Sequence, residues 1–183
     1  MATLFVDKID PQSGTALEIG SSGDTITTAT GAKPSFLYPA FEAFANTGVN
    51  VSDNTNTKVQ VNTEVFDSDS CYDNSTNYRF TPNKAGKYYV YSSIRGDAQA
   101  DSNLQYHTVQ IYKNGSAVGK QIQNFQANYP RVMSQPITYV VDMNGSTDYL
   151  EIYYLFNDTS GNPIINGDAS PAETFFGAYR IGA

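Results

Sequence analysis

From Phe36 onward, apolar and polar residues alternate in short runs separated by turn-forming residues. That pattern predicts strands rather than helices. Phe41-Glu42-Ala43-Phe44-Ala45 ends at Asn46-Thr47-Gly48, and Thr57-Lys58-Val59-Gln60-Val61 alternates cleanly and runs on towards Val65-Phe66. Tyr78-Arg79-Phe80 stops at Thr81-Pro82-Asn83-Lys84-Ala85-Gly86. The next run, residues 87–94, is almost continuously apolar or aromatic, as expected of a central strand covered on both faces. Residues 106–112 lead into Lys113-Asn114-Gly115-Ser116, whose Asn-Gly pair suits the two φ > 0 positions of a tight hairpin. Residues 137–141 reach a second Asn144-Gly145, residues 148–156 form the longest apolar strand, and residues 174–181 close the chain. No stretch shows 3.6-residue periodicity with caps. Eight or more strands over about 150 residues predict an all-β fold, a two-sheet jelly-roll sandwich spanning residues 36–183.

Residues 1–35 read differently. Leu4-Phe5-Val6 and Ile9 precede a turn at Asp10-Pro11-Gln12-Ser13-Gly14. Thr15-Ala16-Leu17-Glu18-Ile19 alternates, Gly20-Ser21-Ser22-Gly23-Asp24 turns again, and Thr25-Ile26-Thr27 makes a last short strand. Strands this short cannot bury a core by themselves. The segment is therefore expected to be a β-rich N-terminal arm that needs a partner surface or copies of itself.

Composition sharpens this picture. The chain has 183 residues, enough for one domain with an arm. Its 14 Tyr and 10 Phe exceed what one small sandwich hides comfortably, and tyrosine is enriched at interfaces because its hydroxyl tolerates water. Tyr88, Tyr89, Tyr91, Tyr149, Tyr153, Phe156 and Phe176 are accordingly expected to be shared between the core and a seam between copies of the chain, and Phe66, Phe80 and Phe175 to lie in the core. A net charge of -7 with 11 Lys+Arg leaves no obvious means of neutralising a phosphate backbone, so nucleic acid is not an expected partner. No apolar run approaches the roughly 18 residues of a membrane span, so no membrane insertion is expected. The first residues lack the basic and apolar regions of a secretory signal, and synthesis in a cytoplasm is expected.

Chemistry-bearing residues are sparse. One Cys and one His cannot make an internal disulfide or a Cys/His zinc site within one chain. His107 and Cys71 are expected to be structural. Asp67-Ser68-Asp69-Ser70 with Asp73 is a weak calcium candidate, because Ca²⁺ takes carboxylate and carbonyl oxygens from flexible loops; an EF-hand starting at Asp67 would need Gly at Tyr72 and Glu at Tyr78. No nucleophile elbow, phosphate loop or zincin motif occurs, so the chain is not expected to be an enzyme or to need a cofactor. Recognition residues concentrate on loops held by rigid strands. Tyr129, Arg131, Asn162, Asn166 and Asp168, on the long irregular loops, are candidates for contact with a glycan or a neighbouring subunit.

Two resemblances add to this reading. Val59-Gln60-Val61-Asn62, Cys71-Tyr72-Asp73, Thr76, Tyr78-Arg79-Phe80, Pro82 and Gly86-Lys87-Tyr88-Tyr89-Val90 resemble the C1q/TNF-like jelly roll. Ile111-Tyr112-Lys113-Asn114-Gly115, Asp148-Tyr149-Leu150-Glu151-Ile152 and Thr174-Phe175-Phe176-Gly177-Ala178 are similar to its later hairpin and its last two strands. There are two departures: Thr147 replaces a glycine before Asp148, and Gly177 stands one position early. The arm, residues 3–26, resembles the attachment segment of marine and cyanobacterial phage tail-fibre and virion structural proteins, whose TNF-like knobs form tight trimers. The resemblances together imply a homotrimeric virion protein, attached to other virion proteins through residues 1–35, whose knob adsorbs to a host surface glycan or receptor. A capsid decoration or tail-assembly cement protein is the alternative, and a polysaccharide depolymerase the second alternative.

Overall fold

The computed structural model describes residues 38–159, 162–170 and 172–182; the expected arm at 1–35 lies outside the described residues. Two antiparallel sheets pack face to face. The first, of seven strands, contains β1 (Ala40–Phe44), β2 (Val49–Asn50), β4 (Thr63–Asp67), β7 (Ala85–Asp97), β10 (Val132–Asn144), β12 (Ile164–Ile165) and β13 (Phe175–Gly182). The second, of six, contains β3 (Thr57–Lys58), β5 (Tyr72–Asp73), β6 (Arg79–Phe80), β8 (Leu104–Lys113), β9 (Ser116–Asn124) and β11 (Leu150–Asp158). In the first sheet the order is β4-β1-β13-β7-β10, and β12 and β2 prolong the β13 side of β7 at its end. The described residues contain no helix. The protein is an all-β jelly-roll sandwich, as the turn spacing predicts.

The core is where the inward faces of the two sheets meet. Phe41 stacks on Tyr72 at 4.4 Å and on Phe80 at 4.5 Å, and meets Phe176 edge-on at 4.9 Å. Pairs of this kind add about 0.5–1.5 kcal/mol each beyond area burial. Tyr88 continues the cluster. Its hydroxyl donates to the Lys84 carbonyl at 2.8 Å, and burial pushes its phenol up to about 12. Tyr154 and Phe156 occupy the other end with Ile94 and Leu104. Gly96 of β7 faces their rings across the sandwich, so close that a Cβ there would lie 2.3 Å from the Tyr154 hydroxyl.

Several expectations need correction. β7 is central in the hydrogen-bonding order, but only one of its faces lies inside the sandwich. Tyr88, Val90, Ser92 and Ile94 point inward, whereas Tyr89, Tyr91, Ser93 and Arg95 point out and are half-buried. The run reads as doubly covered only because its outward positions are also aromatic. Phe66 is not in the core: it pairs with outward-facing Glu42 beside a β-bulge and is 46% exposed. Phe175 is half-buried on the same outer face, and Phe80 is buried as expected. The strand expected to run from Thr57 towards Phe66 divides where the chain passes from one sheet to the other, β3 pairing with β11 and β4 with β1. Val59 and Val61 stay buried at the crossing. β10 starts five residues earlier than expected (Val132, not Ile137) and contains Pro136. An edge strand tolerates proline because the missing N–H faces no neighbour. The Asn114-Gly115 turn forms as predicted, with φ 52° and 79°, but β9 beyond it has no clean alternation and was not foreseen.

His107 is a structural residue, as expected. It is fully buried between β9 and β11. Its Nε2–H donates to Gln123 Oε1 at 3.3 Å, which leaves Nδ1 to accept from the Tyr154 hydroxyl at 2.6 Å. Burial lowers its pKa, outweighing the Gln123 bond. The unfolded chain therefore takes a proton near pH 6.5 that the folded chain resists. The stability due to neutral His107 is complete above pH 6.5 and drains as pH falls below it, by up to about 1.4 kcal/mol per unit. Urea unfolding at pH 7.5 and pH 5 is expected to show this loss, and His107→Gln to flatten it. A wild-type midpoint constant over that window would contradict the assignment.

Candidate interaction face

The outer face of the seven-stranded sheet is aromatic. One row across it reads Ala40, Tyr179, Tyr89 and Val140; the next reads Phe66, Glu42, Gly177, Tyr91 and Thr138. Phe44 and Phe175 head a third. The rings touch, with Tyr89 and Tyr179 at 5.4 Å and Tyr91 6.4 Å from both Phe175 and Tyr179. Gly177 makes this possible. A Cβ on it would lie 2.4 Å from the Tyr91 ring, so the absent side chain lets that ring lie flat across β13. Tyr91 thereby reaches β1, where its hydroxyl donates to Glu42 Oε2 at 2.7 Å. Burial, and then this bond, hold the Tyr91 phenol above its ordinary range. At one end of the face Arg95 pairs with Glu173.

A second apolar patch lies on the flank where the edge strands β9 and β10 run side by side. Tyr139 is 47% exposed and sits over Gly119, whereas Ile122, 56% exposed, pairs with outward-facing Thr108 and projects from the opposite face of β9. The outer face of the six-stranded sheet is different in character, because its polar groups are already engaged. Tyr112 and Tyr153 stack at 4.1 Å, and Lys58 pairs with Glu151 at 2.5 Å. Gln110 and Tyr112 both bond to Asn56, and Tyr106 donates to Asn54. Among the described residues, one outer face is thus aromatic and uncovered, the other closed by its own loop.

The aromatics singled out from the sequence therefore divide three ways. Tyr88, Phe156 and Phe176 are wholly in the core. Tyr89 and Tyr91 lie on the open face. Tyr149, under the Arg79 guanidinium at 4.6 Å, and Tyr153 belong to the opposite side. Tyr179 and Val140, which complete the open face, were not singled out; Tyr179 follows two residues after Phe175–Gly177 in strand period and could have been.

The three calcium candidates are not gathered into one site. Asp67 accepts the amides of Asp69 and Tyr72 at 3.3 and 2.8 Å, so it shapes its own turn. Asp73 accepts the amides of Thr76, Ser75 and Asn77, which hold its carboxyl well below the usual carboxylate range. Among the described residues no cluster of three or more His, Cys, Asp or Glu is placed to hold a metal.

Three of the five loop candidates converge on the end of β7. Arg131 Nε donates to Asp97 Oδ1 at 2.9 Å. Burial opposes ionisation of Asp97, but the Arg131 and Gln99 bonds outweigh it and lower its pKa. The Asn162 carbonyl accepts from Gln99 Nε2 at 2.9 Å, and the Asn166 amide donates to the Arg95 carbonyl at 2.8 Å. The Asn166 side-chain oxygen is buried without a hydrogen-bond partner among the described residues. Asp168 caps Ser170, and Tyr129 is half-buried away from a described partner. Gln99, which ties this end together, carries no sequence signal beyond its place in the turn Asp97-Ala98-Gln99-Ala100.

No protein-family model and no curated protein matches the sequence. Among solved structures, the chain is similar to the Eiger TNF from S. frugiperda, with a TM-score of 0.55 at 14% identity over 80% of this chain and 95% of that one. It is similar also to the globular domain of the zebrafish complement 1qA protein, with a TM-score of 0.55 at 13% identity over 78% of this chain and 96% of that one. At these identities the likeness shows the fold alone, and that fold is the C1q/TNF-like jelly roll.

Proposed function

We propose that this chain is a homotrimeric knob that acts by holding and touching rather than by chemistry, and that it is the fibre or spike knob of a bacteriophage virion. The observation that carries self-association is the aromatic face around Tyr89, Tyr91, Phe175 and Tyr179, together with exposed Tyr139 on the separate β9–β10 flank. A monomer rarely leaves such contiguous apolar surface bare. Two different patches on one chain favour a heterologous contact, face against flank, which forms a closed ring when the rotation closes. The number three follows the C1q/TNF-like resemblance, and the virion assignment rests on the resemblance of the N-terminal segment in the sequence. Adsorption through three identical weak sites gains from avidity and needs no deep pocket.

Sedimentation equilibrium of the full chain at micromolar concentration is expected to give three times the 20.0 kDa mass of one chain. A monomeric mass overturns the association. Antibody against the chain is expected to label the distal ends of fibres on particles. Label on capsid faces would replace the adsorption role with that of a cement protein.

A further inference from the structure

We infer that the cavity at the end of β7 is a binding site for a neutral pyranose, at the chain end of a larger glycan; this deepens the adsorption reading and rests on it only for its biological use. The cavity has a volume of about 480 Å³ and is lined by Asn50, Val51, Ala98, Gln99, Ala100 and Asn162. That size is within the range of small-ligand sites, about 300–1,000 Å³. Three elements meet there. β2 supplies Asn50, the turn after β7 supplies Ala98, Gln99 and Ala100, and the segment before β12 supplies Asn162. The site is braced from outside by the Arg131–Asp97 pair and by the Val51 amide, which donates to the Pro163 carbonyl at 2.9 Å.

The lining has a particular chemistry. It holds three carboxamides, three small apolar side chains and no charged group. Each carboxamide offers both a donor and an acceptor, the combination that matches adjacent sugar hydroxyls, each of which also donates and accepts. Gln99 is held in place by its Nε2, which donates to the Asn162 carbonyl at 2.9 Å and, at a long 3.5 Å, to Asn50 Oδ1. Its Oε1 and the Asn50 Nδ2 are left without a partner among the described residues. Val51 and Ala100 give the cavity a small apolar surface beside the carboxamides, and fully buried Ala98 forms its floor. The absence of a cation from the lining, on a chain of net charge -7, disfavours acidic sugars and phosphate esters. The absence of an aromatic ring gives a nucleobase nothing to stack on.

Saturation-transfer NMR on the full-length chain tests this with three probes at about 5 mM, the range in which single-sugar affinities are read. The probes are galactose, N-acetylglucosamine and glucuronate. Transfer to at least one neutral sugar is expected, with at least fivefold less to glucuronate. Two variants address the site. Gln99→Asn shortens the reach while keeping a residue type that tolerates the φ of 58° at that position. Ala100→Phe fills the cavity from its exposed rim. Each is expected to cut transfer at least fivefold with an unchanged thermal midpoint. No transfer to either neutral sugar, transfer that persists in either variant, or glucuronate transfer equal to that of the neutral sugars overturns the inference. Sedimentation separates the two readings. A trimer without transfer removes only the sugar site, and a monomer with transfer removes only the association.

Discussion

Gly96→Val is expected to cost about 2–6 kcal/mol of stability. The position does not need glycine for its backbone conformation, since among the described glycines only Gly86, Gly115 and Gly145 have positive φ. It needs glycine for space. An added Cβ would sit 2.3 Å from the Tyr154 hydroxyl and 2.4 Å from Cε2 of Phe156. Both rings are fully buried, and the Tyr154 hydroxyl is committed to His107 Nδ1. Tyr154 cannot swing aside without orphaning a buried ring nitrogen, a loss of about 1–3 kcal/mol. Overpacking itself costs about 1–3 kcal/mol. The sum is a large part of the roughly 5–15 kcal/mol that a domain has. Urea unfolding followed by circular dichroism measures it, and Gly96→Ala is expected to lie between wild type and valine. A valine variant with the wild-type midpoint would show that the sandwich opens at this end more easily than its packing implies.

The same position shows what the sequence could and could not reveal. The strands around Gly96 were legible because alternation and turn residues are local signals: the Asn114-Gly115 turn and the closing strand stand where the pattern puts them. The tight passage between Gly96 and Tyr154 joins residues on different sheets, and no local signal reports it. Phe66 was misplaced for a related reason. An aromatic residue on a strand reads as core until the register is known, and the bulge in the β1–β4 pairing settles which way it points. The interaction face was half legible. Tyr89 and Tyr91 announced surplus aromatics, but that Tyr179 and Val140 lie in the same row depends on the register of β13 and β10 against β7. The end of β7 was legible least. Asn162 and Arg131 were picked out because they lie on loops, while Gln99 and Asn50 owe their meeting to tertiary structure.

A mixing experiment follows from the two unlike patches. Tyr179→Glu puts a carboxylate in the middle of the aromatic face, and Tyr139→Glu puts one on the β9–β10 flank. Both side chains are solvent-exposed in the single chain, at 38% and 47%, so neither change should unfold it. In a face-to-flank ring each variant alone loses every interface, because every contact needs one face and one flank. An unpaired charge desolvated at a contact costs several kcal/mol, and about 3 kcal/mol already weakens association more than 100-fold. Each purified variant is therefore expected to sediment as a monomer. Mixed in equal amounts, they retain one intact combination, the face of the Tyr139→Glu chain against the flank of the Tyr179→Glu chain. That single interface cannot close a ring, so the mixture is expected to form a one-to-one heterodimer. A symmetric face-to-face contact predicts otherwise: Tyr139→Glu would then assemble like wild type, and the mixture would contain no heterodimer. Sedimentation velocity on the two variants and their mixture thus distinguishes a cyclic knob from a simple two-fold pair.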